Sequence, residues 1–468
     1  DIFRIFDSLN WLKGIEVSLD EVLSCGKIAE VALCYTGDIL DTNRDKYSLQ
    51  YYVNKAKEIE KVGAHILAIK DMSALLKPYS ARKLIKALKN EISIPIHLHT
   101  HDTTGTGVAT VLMAAEAGVD IVDTTFNGMS GLTSQPALNS IVAALENTDR
   151  DTGIDLNDIQ KLSDYLDGIR PIYSKFESGL KSGSAEIYKY EIPGGQYSNL
   201  RPQVESFGLG HRFKEVKLMY KRVNEMVGDI IKVTPSSKMV GDMAIFMVQN
   251  DLTPENVYNK AKNMAFPDSV VSYFKGMMGQ PEGGFPKDLQ KLVLKGEKPI
   301  DVRPGELLKD EDFQGIKGHI NKRFSIKATN RDAISYALYP DVYEEYLKFL
   351  QEFGNVSRIR SDVFLHGLAE GEVSEIDLGE GKTGLVHISE VSNGFVKDIH
   401  DVLTVGDEVT VKVTSVGDDG KIGLSIRKAQ EPAEGQQPKR EFQRRENNYE
   451  NRDRNPRAGG KKPDRKSV

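Results

Sequence analysis

A chain of 468 residues, 39% hydrophobic and with a formal charge of −6, is long enough for several cored domains and as a whole is not a polycation built for nucleic acid. The average hides an asymmetry, because from Pro432 onward 11 Lys/Arg face 6 Asp/Glu, a net +5 that leaves −11 on the rest and predicts a basic appendage with its own partner. Two cysteines, Cys25 and Cys34, exclude a disulfide framework and point to a reducing, cytoplasmic setting, while no apolar run reaches the roughly 18 residues of a membrane span.

The chain opens on Asp1 in a strand-like run, "DIFRIFDSLN", so it is expected to begin inside a domain, and no signal peptide is visible. Short β-rich runs follow at Ile2–Phe6, Glu30–Tyr35, His65–Lys70, Ile94–His101 and Asp120–Thr125. Between them lie helical periods, such as Tyr51, Val53, Ala56, Ile59 and Val62, then Val108, Val111, Leu112 and Ala115. Alternating strand and helix predicts parallel βαβ units. Polar residues gather at the strand C-termini (Asp7, Thr36, Lys70, His99 to Asp102, Asp123), the end that carries active sites in (β/α) barrels. A doubly wound sheet places ligands there too, but no glycine-rich fingerprint follows the first strand.

Residues 155–300 read as helices joined by Gly/Pro loops, and 300–360 as further helix including Tyr343–Phe353. After Phe364 the texture changes to Gly-rich alternating strands ("GLVHISEV", "EVTVKVTSV", "KIGLSI"), with "DDGK" at Asp418–Lys421 as a hairpin turn. From Glu431 the composition predicts disorder.

The segment "IPIHLHTHD" places His97, His99 and His101 on one face of a strand. Imidazoles at this spacing can ligate Zn²⁺, Mn²⁺ or Co²⁺; the structural alternative is a hydrogen-bonded polar cluster at the barrel top. Lys70 ends the preceding strand. It is either a partly buried lysine paired with a neighbour such as Asp71, or one whose lowered pKa serves chemistry.

Five motifs in order, "KDMSALLKP", "HLHTHDTTGTG", "MSGLTSQP", "EIPGGQYSNLRPQ" and "GDIIKVTPSSKMVGDMA", resemble the carboxyltransferase domain of the pyruvate carboxylases, from Asp1 to about Gly371. The resemblance implies a (β/α)8 TIM-type barrel, here lacking its first strands, with a helical extension. It also implies transfer of a carboxyl group from carboxybiotin to pyruvate to give oxaloacetate. Lys70 matches the lysine carbamylated by CO₂ to become an anionic metal ligand. His99 and His101 match the two histidine ligands, with His97 in support. Thr234 matches the threonine that relays a proton between biotin and pyruvate, and Ser237 and Lys238 match residues near the biotin pocket. A helix N-cap is the alternative for Thr234, which precedes a proline. The family's aspartate ligand and its substrate-holding glutamine and arginine fall upstream of Asp1. Biotin carboxylase and biotin carboxyl carrier parts are not in this chain, so biotin is expected on a separate domain or chain, and activity of this chain alone stays open. Homo-oligomerisation is implied as well.

The stretch "GKTGLVHISEVSNGFVKDIHDVLTVGDEVTVKVTSVGDDGKIGLSIRKA" resembles instead the later strands of the RNA-binding OB fold named after ribosomal protein S-one. His387, Phe395, Lys421 and Arg427 fall where single-stranded RNA contacts are expected; alternatively Phe395 packs the core and the charges are merely solvated. The first two strands of that fold are expected to be missing, with the join near Gly381–Thr383. The expected organisation is therefore a truncated barrel over 1–175, its helical extension over 176–300 and a partial central or tetramerisation region over 301–380. A partial OB fold over 381–430 and a disordered basic tail over 431–468 follow. Two rival functions accompany the carboxyltransferase reading: an RNA-binding protein, and a biotin-dependent oxaloacetate decarboxylase subunit.

Overall fold

The computed structural model describes residues 1–177, 179–357, 359, 361–366, 373–379, 382–387, 390–392, 402–403, 406–416 and 422–429. Residues 1–365 make one compact unit and the described residues beyond them a second.

In the first unit each short apolar run becomes a strand and each helical period a crossover. The order is β1 (Ile2–Phe6), α1 (Leu12–Ser24), β2 (Ile28–Cys34), α2 (Leu49–Lys61), β3 (Ile66–Asp71), α3 (Pro78–Glu91), β4 (Ile96–Thr100), α4 (Gly107–Glu116) and β5 (Ile121–Val122). The five strands are parallel and lie in chain order, the βαβ arrangement expected. Local chemistry sets the helix starts: the Ser48 side chain accepts from the Tyr51 N–H ahead of α2, and Pro78 supplies a ready φ at the first position of α3.

Strand alternation divides the sheet into two faces. Val31, Leu33, Leu67, Ile69, Ile96 and Leu98 pack into one apolar core with Ile15, Leu19, Tyr52, Ile59, Leu84 and Leu88 of the helices. The opposite face carries Arg4, Phe6, Glu30, Lys70, His97 and His99. Register places Lys70 between Cys34 of β2 and His99 of β4. The sheet is open, with β1 and β5 as its edges, and β1 exposes Ile2, Phe3 and Phe6.

The chain then turns helical: α5 (Leu138–Leu145), α6 (Leu156–Ile169), α7 (Ile187–Tyr190), α8 (Gly194–Ser206), α9 (Phe213–Met226), α10 (Ser236–Gln249), α11 (Val257–Lys260), α12 (Asp268–Lys275) and α13 (Lys287–Leu294). Helices α8, α9, α10, α12 and α13 close over a second core built from Leu200, Tyr220, Met239, Met243, Val270, Tyr273, Phe274 and Leu289. Helices α14 (Phe313–Phe324), α15 (Asn330–Leu338) and α16 (Pro340–Phe353) share a small core of Ile320, Phe324 and Leu347, and α17 (Ser361–His366) follows.

The second unit contains a four-stranded sheet: β6 (Val373–Gly379), β7 (Lys382–His387), β8 (Lys412–Val416) and β9 (Ile422–Ser425), in the order β6-β7-β9-β8. Its core is Val386, Val391, Leu403, Leu424 and Ile426. Strand β6 has no counterpart among the elements expected from sequence. It precedes Gly381 and pairs antiparallel with β7, so a strand expected to be missing is present. Its charges, Glu375 and Asp377, hide the strand pattern, but Ile376 packs on the core. The expected turn at Asp418–Lys421 lies outside the described residues; the strands flanking it, β8 and β9, are antiparallel.

Candidate active site

The three alternating histidines of β4 and its C-terminal end meet different fates. His97 has both ring nitrogens engaged: Nδ1 lies 2.9 Å from Glu30 Oε2 and Nε2 lies 2.8 Å from Asp123 Oδ1. Burial lowers its proton affinity, but the bonds to Asp123 and Glu30 outweigh this and hold its pKa above the ordinary value. A ring donating from both nitrogens has no lone pair for a metal.

His99 and His101 do have one. Nδ1 of His99 sits 2.8 Å from Asp123 Oδ2, and Nδ1 of His101 sits 2.6 Å from the Thr133 carbonyl oxygen. Both partners only accept, so each Nδ1 carries the hydrogen and each Nε2 an unshared pair. Those two Nε2 atoms, together with Thr103 Oγ1, are buried and without a partner among the described residues. The two rings stand edge to face, 5.3 Å between centroids. Burial pushes the His101 pKa down to about 4, so the ring is neutral at physiological pH, as a ligand must be. Gly194, from "IPGGQYSNL", lets α8 approach: a Cβ there would stand 3.1 Å from Thr103 Oγ1 and 3.3 Å from His101 Nδ1.

Lys70 is held differently from the expectation of an ion pair with Asp71. Its Nζ lies 3.0 Å from Met72 Sδ and 4.9 Å from the Phe6 ring centroid. Asp71 is fully buried on the other face, accepting from the Leu75 and Leu76 amides and the Thr100 hydroxyl. Consecutive strand residues point apart, which is why the sequence neighbour is not the spatial partner. Burial lowers the Lys70 pKa, with a smaller effect of Arg4 in the same direction, and outweighs the opposing charges of Cys34 and Asp123.

Asp123 joins the cluster. Burial alone would raise its pKa, but hydrogen bonds from His97, His99 and Arg4 (Nη1 to Oδ2, 2.7 Å) hold it far below the carboxylate range. Arg4 also pairs with Glu30. Among the described residues, no three His, Cys, Asp or Glu side chains converge as a metal-binding group; the donors that do gather are two imidazoles beside one half-buried amine.

Thr234 lines a cleft of about 390 Å³ with Phe6, Asp7, Trp11, Met278 and Arg303. The N-cap reading of Thr234 does not hold. The residue preceding α10 is Pro235, and the turn is closed by Ser236, whose hydroxyl meets the Val233 amide and the Ile231 and Val233 carbonyls. Thr234 is exposed and makes no hydrogen bond among the described residues. Phe6 connects the two halves of the site, since it lines this cleft and lies under Lys70. Ser237 is buried in the first turn of α10, and Lys238 is exposed and bonded to Asp242 at 2.6 Å; neither lines the cleft.

Of the residues expected to meet RNA, Arg427 lies 2.5 Å from Glu390 Oε1. His387 ends β7, with its side chain outside the described residues; Phe395 and Lys421 lie outside them entirely. Sequence patterning missed the roles of Arg4, Glu30 and Thr133. The only available signal was a charged residue inside an apolar strand, at Arg4 and Glu30; a backbone acceptor such as Thr133 leaves none.

Three family descriptions match: HMGL-like over residues 41–166, Conserved carboxylase domain over 187–387 and S1 RNA binding domain over 370–427. The last two overlap across β6 and β7, where the sequence places its join. The chain is 52% identical over 391 residues to pyruvate carboxylase of Bacillus subtilis, covering 84% of this chain and 34% of that protein. It is 43% identical over 395 residues to mitochondrial pyruvate carboxylase of Homo sapiens, covering 84% and 33%. The structure of the carboxyl transferase domain from Rhizobium etli pyruvate carboxylase superposes with a TM-score of 0.78 at 48% identity, over 82% of this chain and 65% of that one. The same domain has been solved with pyruvate and biocytin. The chain spans about a third of the length of the curated relatives it matches. Over residues 41–387 the chain is similar to the carboxyltransferase region of the pyruvate carboxylases, and over residues 370–427 to the S1 RNA-binding type.

Proposed function

We propose that residues 1–365 carry out biotin-dependent carboxyl transfer, with pyruvate as acceptor and oxaloacetate as product. The observation that carries this reading is the pair of Nε2 atoms on His99 and His101, buried and without a partner among the described residues. Leaving a buried acceptor unsatisfied costs about 1–3 kcal/mol, and a ligand that uses both offsets that cost. The residues suited to hold a divalent ion are His99, His101 and Lys70 as its carbamate. A half-buried lysine with lowered pKa has the neutral amine that adds to CO₂, its nitrogen releasing a proton to water as the N–C bond forms. Zn²⁺, Mn²⁺ and Co²⁺ all suit such a nitrogen and oxygen set. When bound, the ion supplies a Lewis acid that polarises a carbonyl oxygen.

The protein's own groups move the proton. The Thr234 hydroxyl takes a proton from the pyruvate methyl group and gives its own to the biotin nitrogen. Meanwhile the carboxyl carbon leaves that nitrogen and bonds to the methyl carbon, so the hydroxyl ends unchanged. Ser237 and Lys238, in the first turn of α10 just beyond Thr234, are the proposed biotin-side groups, and biotin arrives on a separate domain or chain. The occupied relative, with pyruvate and biocytin, supports this substrate pair. The test is oxaloacetate decarboxylation by the full chain loaded with Zn²⁺, Mn²⁺ or Co²⁺. Stimulation by free biotin is expected, and no stimulation in any metal-loaded sample rejects the reading.

The S1 RNA binding match over residues 370–427 favours a second activity there, binding of single-stranded RNA on one sheet face, with phosphate contacts from the basic tail. Filter binding that persists after removal of residues 381–468 would reject it.

A further inference from the structure

Lys232 is an odd residue for its place. It sits between Ile231 and Val233, both in the barrel core, and its side chain is 0% exposed. An apolar residue of similar volume fills such a position without the desolvation of a charge. Its Nζ makes three directional bonds: to Glu191 Oε2 at 2.9 Å, to Thr36 Oγ1 beyond β2 at 3.1 Å and to the Ile230 carbonyl at 3.1 Å.

The partners form a lattice around the segment joining α9 to α10. Glu191 also accepts from Arg44 at 2.6 Å, and Arg44 reaches Asp229 at 3.0 Å. Lys46 donates to the carbonyls of Gly228 and Asp229 at 2.5 and 3.0 Å. Arg44, Lys46 and Thr36 all lie in the connection after β2, so that connection grips residues 228–232 from the barrel side. Two residues further on is Thr234, exposed in the cleft and itself unbonded among the described residues. Apolar contacts through Ile231 and Val233 keep the segment on the core and the Ser236 hydroxyl closes its turn from within; the bonds to Lys232 tie it to Thr36 and Glu191, outside the segment.

We infer that Lys232 and Glu191 are positioning residues, a buried clamp that fixes where the Thr234 hydroxyl stands over the cleft. This rests on the proton-relay reading of Thr234. It does not make either residue catalytic, since both are tied to the protein's own groups.

The test uses the full metal-loaded chain and K232M. Glu191 keeps Arg44 in this variant, so no carboxylate is stranded. The conservative K232R and a control, K217M, which removes an ordinary bond to Glu186, complete the set. The expected result for K232M is an unchanged melting temperature and faster hydrogen exchange confined to amides 230–234. Biotin-dependent decarboxylation should lose about 10- to 100-fold in kcat, the penalty of a displaced reacting group, with KM for oxaloacetate unchanged. K232R should recover part of this loss, and K217M should match the parent. Unchanged local exchange in K232M overturns the clamp, as does exchange that rises uniformly with a lower melting temperature. If the parent shows no biotin-dependent activity, the functional reading falls, and the exchange comparison alone decides the clamp.

Discussion

Replacing Asp123 by Asn probes the support beneath the two histidine donors. Oδ2 of Asp123 accepts from His99 Nδ1 at 2.8 Å and Arg4 Nη1 at 2.7 Å, while Oδ1 accepts from His97 Nε2 at 2.8 Å. In D123N one of these oxygens becomes an amide NH₂; turned toward His99 and Arg4 it sets N–H against N–H, and turned toward His97 it does so unless that ring gives up its Nε2 hydrogen. His97 and Arg4 retain Glu30; His99 has no other partner on Nδ1 among the described residues. The carboxylate that fixes its tautomer and ring orientation is lost. Groups in this supporting position are worth about 10- to 100-fold in metal affinity, or about 1.4–2.7 kcal/mol at roughly 1.4 kcal/mol per decade. The assay is competition with a chelator of known Zn²⁺ affinity at pH 7.5, on parent and D123N of matched secondary structure. Affinity for Zn²⁺ equal to the parent's would refute the argument that Asp123 orients a metal-binding His99.

Three further outcomes are expected. T234A removes a hydroxyl that bonds to nothing among the described residues, so thermal denaturation should be unchanged while biotin-dependent decarboxylation falls by about 10²–10⁴-fold. E191Q strands the buried Lys232 ammonium without a carboxylate and should lower unfolding free energy by about 3–5 kcal/mol, read by urea denaturation. The same ion pair holds the Glu191 pKa at about 2, below its ordinary 4.5; although burial opposes this, the charges of Lys232 and Arg44 dominate. Its contribution is therefore present above pH 4.5 and lost as pH falls toward 2, an acid dependence that E191Q should flatten. His97 has the opposite sign. Its pKa is raised, so its stabilisation is complete below 6.5 and lost as pH rises through the elevated value; H97Q should remove that alkaline loss from urea midpoints measured across pH 6 to 9.

Much of the fold and part of the site were legible along the chain, because strands and helices announce themselves by period. The runs at Ile2–Phe6, His65–Lys70 and Ile94–His101 became β1, β3 and β4 with their polar ends where a barrel places chemistry. The two-residue spacing of His97, His99 and His101 is enough by itself to put their side chains on one face. What local pattern could not supply was each group's partner. Asp71 stands next to Lys70 in sequence and on the other side of the sheet in space. Pro235, not Thr234, precedes α10, because the Ser236 hydroxyl closes the turn. Strand β6 was concealed by its charges.

The sequence by itself determined the α/β class, the parallel order and the candidate donors, since these follow from side-chain periodicity and from motifs short enough to read locally. Only the tertiary structure decided which histidines keep a free nitrogen and which lysine is clamped. Those outcomes depend on contacts across long separations: Asp123 with Arg4, Thr133 with His101, Glu191 with Arg44 and Lys232. A hydrogen bond is set by distance in space and the tautomer it selects, and neither is written in the spacing of residues along a chain.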